Sequence, residues 1–319
     1  MTEHIGFIGV GTMGAALAGR LIDAGYQLTI YDLNKKTVAG FVKRGAKAAI
    51  SPAHVASNAE LVFVCLPKPD DIHEVAFGEN GIASGNKAKI YVDFSTTGPT
   101  MAGIVGDGLA KKSIAAVDAA MGGTLRQAKA GTLTLLSSGP KKAFKRVEPI
   151  LQHLGSKICY VSERTGDGQL MKVLNNFLSL MALVGTTEAM MVGAKYGLDP
   201  DTIIETLNDS PARNNATETK FPVNILTRNF DHGFMTKLMY KDISLFVSEA
   251  EKMGVPVWLA SNLKQIWSYY MSQDGGDLDS TRIVEHYEKW AGVKVVGKAA
   301  KKKNTKKKAA KKKTKNNKV

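Results

Sequence analysis

A chain of 319 residues exceeds the ~100–200 typical of one domain, which predicts two domains and an appendage. With 44% hydrophobic and 23% charged residues it excludes wholesale disorder and a fibrous repeat, and its only cysteines, Cys65 and Cys159, support neither a disulfide framework nor a cysteine zinc site. The formal charge of +14 sits at one end: Lys298 to Val319 holds 12 lysines and no acid, leaving +2 on the rest. The opening MTEHIGFIGVG has no basic stretch before its apolar run, so no export signal is expected and the cytoplasm is the expected compartment.

In chain order, His4 to Val10 reads as a buried strand, followed by glycines and a helical spacing of apolar residues from Ala15 to Ile22. Strands are predicted again at Gln27 to Tyr31, Leu61 to Leu66 and Lys89 to Phe94, with helix-compatible segments between them. This alternation predicts an α/β fold with a Rossmann-type doubly wound sheet. Further strand-like runs at Ile114 to Asp118, Thr132 to Ser137 and Lys157 to Val161 carry the first domain through residues 1–162. From Leu170 to Tyr196 the sequence predicts one long helix, whose polar residues Asn175, Asn176, Thr186, Thr187 and Glu188 argue against membrane insertion and for a core or subunit interface. Met181, Met190 and Met191 are read as packing residues. Helix signals continue at Asp199 to Asn208 and Lys241 to Met253, predicting an all-helical C-terminal domain over 163–296. Residues 297–319 are expected to form a disordered basic tail, either an electrostatic anchor for nucleic acid or another polyanion or a solubilising extension.

Gly9-Val10-Gly11-Thr12-Met13-Gly14 lies between a predicted strand and a predicted helix, the setting in which GxGxxG binds a dinucleotide. The first glycine allows the tight turn, the second lets the backbone approach a pyrophosphate, and the third lets helix and strand pack closely. Asp32, 18 residues beyond Gly14, ends the second predicted strand, where a carboxylate accepts hydrogen bonds from ribose hydroxyls. NAD rather than NADP is therefore expected, although Lys35 and Lys36 stand close enough in sequence to meet a 2′-phosphate. Lys172 and Asn176 are four residues apart and share one face of the long helix. A neutral lysine there could take the proton of an alcohol while hydride leaves; a surface lysine beside a helix start is the alternative. His54, His73, His153, His232 and His286 fit no catalytic or metal spacing, no metal site is expected, and Ser95 in its turn reads as a cap or cofactor contact rather than a nucleophile.

Six segments occur in the order FIGVGTMG from Phe7, CLPKPDDIHEV from Cys65, VDFSTTGP from Val92, DAAMGGT from Asp118, GDGQLMKVLNN from Gly166 and KLMYKDISL from Lys237. With these the chain resembles, over about residues 4 to 292, the β-hydroxyacid dehydrogenase family, which includes 3-hydroxyisobutyrate dehydrogenase, tartronate semialdehyde reductase and, more distantly, 6-phosphogluconate dehydrogenase. The resemblance implies hydride transfer between NAD and a small β-hydroxy acid or its semialdehyde, with Lys172 as acid/base and Asn176 beside it. It also implies Leu66 and Pro67 on the adenosine side, Thr96 near the nicotinamide, Lys241 and Asp242 closing over the ligands, and Phe234 in the same wall. A homodimer or homotetramer is implied as well. The family commonly reads Asp-Ala-Pro-Val-Ser-Gly-Gly where this chain reads Asp118 to Thr124, so Gly122 stands in place of a carboxylate-binding serine. Gly122, Gly123 and Thr124 then remain as substrate contacts, through backbone N–H groups and the Thr124 hydroxyl. The sulfolactaldehyde reductase branch is similar in its glycine, its threonine and a run like Asn175 to Ser179, but places an arginine at Gly123, so reduction of a sulfonated or other small anionic aldehyde is the alternative activity. Arg126 and Arg213 are further candidate anion partners. A different alternative is a dehydrogenase-fold oligomerisation module that holds nucleic acid through its lysines; retention of Lys172 favours the enzyme.

Overall fold

The structure is a computed structural model that describes residues 3–301. Its first unit is built on an eight-stranded sheet of β1 (His4–Ile8), β2 (Gln27–Tyr31), β3 (Lys47–Ala48), β4 (Leu61–Val64), β5 (Ile90–Asp93), β6 (Ala115–Gly122), β7 (Leu133–Ser138) and β8 (Gly155–Tyr160). The spatial order is β3-β2-β1-β4-β5-β6-β7-β8, parallel except where β6 meets β7. β4 and β5 are buried at every position, as expected of central parallel strands covered on both faces. Phe7, Phe63 and Phe94 fill the centre of one face, with ring centroids 5.4–6.5 Å apart. Every predicted strand is present within a few residues of its expected ends. β3 was not expected, because two exposed residues at a sheet edge carry no periodic pattern.

The order reverses between β1 and β4, and the turns that leave β1, β2, β4 and β5 all lie at the carboxyl ends of these strands. Ligands of open α/β sheets bind at such a switch point. The sheet therefore brings Gly9, Asp32, Leu66 and Ser95, which are scattered over nearly ninety residues of sequence, to one edge.

Contacts divide the chain into residues 1–175 with Glu251–Met253, and Asn176–Ala250 with Gly254 onward, so the division falls inside the helix Asp167–Tyr196. By length and composition that helix is able to cross a membrane. In the second unit it buries Leu180, Leu183, Val184, Met190 and Met191, a helical stripe, against Phe221, Ile225, Ile243 and Trp267. Met190 and Met191 thus pack the core. Further helices follow at Pro200–Asn208, with Asp199 capping Asp201 N–H, at Thr236–Lys252, Trp258–Tyr270 and Ile283–Ala291. Ala216–Ile225 is wound as a π-helix, which sequence periodicity does not distinguish from an ordinary helix.

The beginning of the expected tail differs from expectation. Gly297 donates its N–H to the Leu226 carbonyl (3.0 Å), Lys298 N–H donates to Asp201 Oδ2 (2.7 Å), and Ala300 is buried. Specific backbone partners outweigh the tail-like composition over residues 297–301; residues 302–319, expected to be disordered, lie outside the described residues.

Candidate active site

Gly9 leaves β1 at φ +87°, a conformation that side chains with a Cβ rarely adopt. A Cβ at Gly14 would overlap the Gly9 carbonyl oxygen, which is how closely the helix Thr12–Asp23 approaches the turn. At Gly11, by contrast, a Cβ would meet nothing within 4 Å. A tight turn, a close-packed helix and open space over the middle glycine are the shape that a pyrophosphate needs, and the exposed N-terminal turn at Thr12, with half-buried Met13, presents helix N–H groups toward it. Asp32 is tied to the same turn: its Oδ2 accepts from Val10 N–H (2.8 Å) and its Oδ1 from Asn34 N–H (2.7 Å). Each oxygen retains a lone pair for a ribose hydroxyl. These residues fit a bound dinucleotide. Lys35 lies over the Tyr31 ring, 5.2 Å from its centroid, and Lys36 is exposed.

The ends of β4 and β5 are locked together. Ser95, buried, accepts from Leu66 N–H at its hydroxyl (2.9 Å) and donates its own N–H to Asp93 Oδ1 (2.8 Å). This bond holds half-buried Leu66 and exposed Pro67 in place. Burial pushes the Asp93 carboxyl up to about 6 and the Cys65 thiol up to about 12, which disfavours the thiolate. Thr96 is half-buried in the turn that follows.

Gln169 connects this turn to the long helix: its Nε2 donates to the Ser95 carbonyl (3.0 Å) and its Oε1 accepts from Thr97 N–H (3.0 Å). The helix start is anchored from a second side. Asp118 Oδ2 accepts from the Ser138 hydroxyl (2.5 Å) and from Gly166 N–H (2.7 Å), while Gly168 N–H donates to Ser138 Oγ (2.8 Å). A carboxylate at a helix N-terminus is favoured by the unpaired N–H groups there. Burial raises the Asp118 pKa, and the bond from Ser138 opposes that rise. Lys172 follows Gln169 by three residues, one turn on, and is 7% exposed. The lysine-bearing turn is therefore fixed at the carboxyl end of β5. No local pattern marks Asp118, Ser138 and Gln169 for this part: Asp118 and Gln169 stand within motifs, but pairings across 20 or more residues leave no periodic signal.

Gly122 ends β6 opposite Thr134, and Gly123 has φ +142°. Thr124 is a helix cap: its N–H donates to Gln127 Oε1 (2.9 Å), and its hydroxyl takes part in the reciprocal capping box. Arg126 is exposed, and Arg213 forms an ion pair with Glu218 (2.8 Å).

In the second unit, Asn176 Nδ2 donates to Asp242 Oδ2 (2.6 Å), and Lys241 Nζ lies 3.2 Å from Asp242 Oδ1. Asp242 is buried and so orients both partners. Phe234 is half-buried. Of the histidines, His54 Nδ1 accepts from Ile50 N–H (3.3 Å), and His73, His153 and His286 pack edge-on against Phe77, Tyr26 and Tyr270.

Known proteins match both halves of the chain. Residues 4–162 match the NAD binding domain of 6-phosphogluconate dehydrogenase, and residues 166–287 match the NAD-binding domain of NADP-dependent 3-hydroxyisobutyrate dehydrogenase. The chain is 32% identical to 2-(hydroxymethyl)glutarate dehydrogenase of Eubacterium barkeri, over 92% of this chain and 97% of that protein. It is 29% identical to 3-sulfolactaldehyde reductase of Escherichia coli, over 91% and 97%. Among solved structures, Mycobacterium tuberculosis 3-hydroxyisobutyrate dehydrogenase with L-serine superposes with a TM-score of 0.84 at 25% identity, covering 90% of this chain and 99% of that one. Both halves are matched in order, and kinship extends over nearly the whole length: the chain belongs to the β-hydroxyacid dehydrogenase family, whose members are NAD(P)-linked oxidoreductases.

Proposed function

We propose that this protein is an NAD-dependent dehydrogenase of a small β-hydroxy acid or its semialdehyde, similar to 3-hydroxyisobutyrate, with Lys172 as general acid/base. One observation carries the reading: Gln169 clamps the turn that bears buried Lys172 to Ser95 and Thr97 at the carboxyl end of β5, on the sheet edge that also holds the glycine turn and Asp32. The glycine turn and Asp32 would hold the cofactor, with Leu66, Pro67 and Lys241 along its length and Thr96 at its reactive end. The nicotinamide, when bound, supplies the hydride acceptor or donor. Lys172 takes the hydroxyl proton during oxidation and returns it to the carbonyl oxygen during reduction, so that each cycle leaves the amine in the opposite protonation state. Asn176, oriented by Asp242, donates to the same substrate oxygen. Gly122, Gly123, Thr124 and Phe234 bound the acid.

Lys172→Ala is expected to lower kcat about 10²–10⁴-fold while the dinucleotide Kd changes by less than about threefold. Equal turnover by the variant refutes the assignment. A turnover screen of 3-hydroxyisobutyrate, glycerate, serine, 4-hydroxybutyrate and sulfonated propanediols tests the substrate class. The absence of a serine at Gly122 favours including the sulfonated compounds, since the alternative reading is reduction of a sulfonated aldehyde. Exposed Met171, Leu174 and Leu178 on the long helix support a homo-oligomer, and a monomer by light scattering counts against it.

A further inference from the structure

Lys220 is one of the largest side chains wholly inside the second unit, at 1% exposed, and no step above uses it. It projects from the π-helix Ala216–Ile225, a wide-turn geometry frequent at functional sites. Its Nζ donates to the Ser179 carbonyl and to Ser179 Oγ, each at 2.9 Å. Among the described residues no carboxylate forms an ion pair with it. The acids beside His232 have other partners: Asp231 accepts from Asn224 (2.8 Å), and Asp279 accepts from Gly233 N–H (2.7 Å) and Thr281 N–H (3.0 Å). A buried cation held only by neutral acceptors is costly unless an anion comes to it. Ser179 is half-buried and lies three residues beyond Asn176 and seven beyond Lys172, on one face of the long helix. Because Lys220 donates into Ser179 Oγ, the serine's own proton must point to another acceptor. Asn215 Oδ1 accepts it only at 3.3 Å, a long bond that a charged oxygen would replace.

We propose that Lys220 is a positioning residue for the substrate: its ammonium polarises the Ser179 hydroxyl, which in turn donates to the anionic head group of the bound acid. That the anion is a carboxylate rests on the dehydrogenase reading; the anion preference of the site does not. Burial lowers the Lys220 pKa to about 8, and the titratable group that feels its charge is His232, flanked by Asp231 and Asp279 and itself lowered mainly by burial. Lys220 is thus charged below that pH, and anion preference is present there and lost as the pH rises through it.

The test is calorimetric titration of the full chain, saturated with reduced dinucleotide, with isobutyrate and with uncharged isobutyramide at about pH 7 and about pH 9.5. The wild type is expected to bind isobutyrate at least about tenfold tighter than the amide at the lower pH and to lose most of that gap at the higher. Lys220→Met closes the gap at both values, and Lys220→Arg keeps it at both, because arginine does not titrate in this range. Wild type that fails to prefer the acid, or Lys220→Met that prefers it as the wild type does, overturns the proposal. Should Lys220→Met fail to fold, the pH response of wild type against Lys220→Arg decides. Acid preference without turnover of any hydroxy acid leaves this site standing and removes the dehydrogenase reading; turnover without the preference does the reverse.

Discussion

The glycine turn offers a test that separates folding from binding within four residues. At Gly14 a Cβ would overlap the Gly9 carbonyl oxygen and stand 3.1 Å from its carbonyl carbon and 3.3 Å from Cys65 Cβ. Two of these neighbours are backbone, fixed by β1, so the helix Thr12–Asp23 must move off the sheet. Overpacking of this kind costs about 3 kcal/mol, which at ~2–4 °C per kcal/mol lowers Tm by roughly 6–12 °C. At Gly11 a Cβ meets nothing within 4 Å, so Gly11→Ala leaves Tm within about 1 °C of wild type. Its methyl group occupies the space offered to pyrophosphate and weakens dinucleotide binding by at least about tenfold, or 1.4 kcal/mol. Thermal melts without cofactor and fluorescence titration with NADH and NADPH read the two effects separately. Wild-type affinity in Gly11→Ala, or equal destabilisation by both variants, would refute the assignment of these glycines.

Asp32→Ser should shift the NAD/NADP ratio of kcat/KM toward NADP by about 10–100-fold, measured with either cofactor varied; an unchanged ratio removes Asp32 from ribose recognition. Asp93, raised by burial from 3.8 to about 6, binds its proton more tightly in the folded state, so it stabilises fully below about pH 4 and loses that contribution as the pH rises to about 6. Asp93→Asn keeps the Oδ1 acceptor and should exceed wild type by about 2–3 kcal/mol at pH 8 while matching it near pH 4 in urea unfolding; parallel curves contradict this. Deleting residues 302–319 should lower retention on immobilised DNA at low salt without moving Tm, whereas deletion from Gly297 also removes the bonds to Leu226 and Asp201 and lowers Tm by a few degrees, about 2–4 °C. Equal DNA retention by full-length and shortened chains ends the idea of a polyanion anchor.

What could be read from the residues alone was what local pattern encodes. Continuous apolar runs marked the buried parallel strands, GxGxxG between strand and helix marked the phosphate turn, and the distance to Asp32 placed a carboxylate at the next strand end. The 3.6-residue period marked the long helix and placed Lys172 and Asn176 on one face. Only tertiary structure decided what anchors that helix, because Asp118, Ser138, Ser95 and Gln169 meet across 20 to 74 residues of sequence, and hydrogen bonds between distant segments impose no periodicity. The same holds where composition misled at residues 297–301, which look like tail but find partners in Leu226 and Asp201, and for Lys220, an ordinary lysine in sequence, which projects from a π-helix and is buried with its Nζ on Ser179. A residue's spacing is set by its own segment, whereas its burial and partners are set by whatever the rest of the chain brings to it.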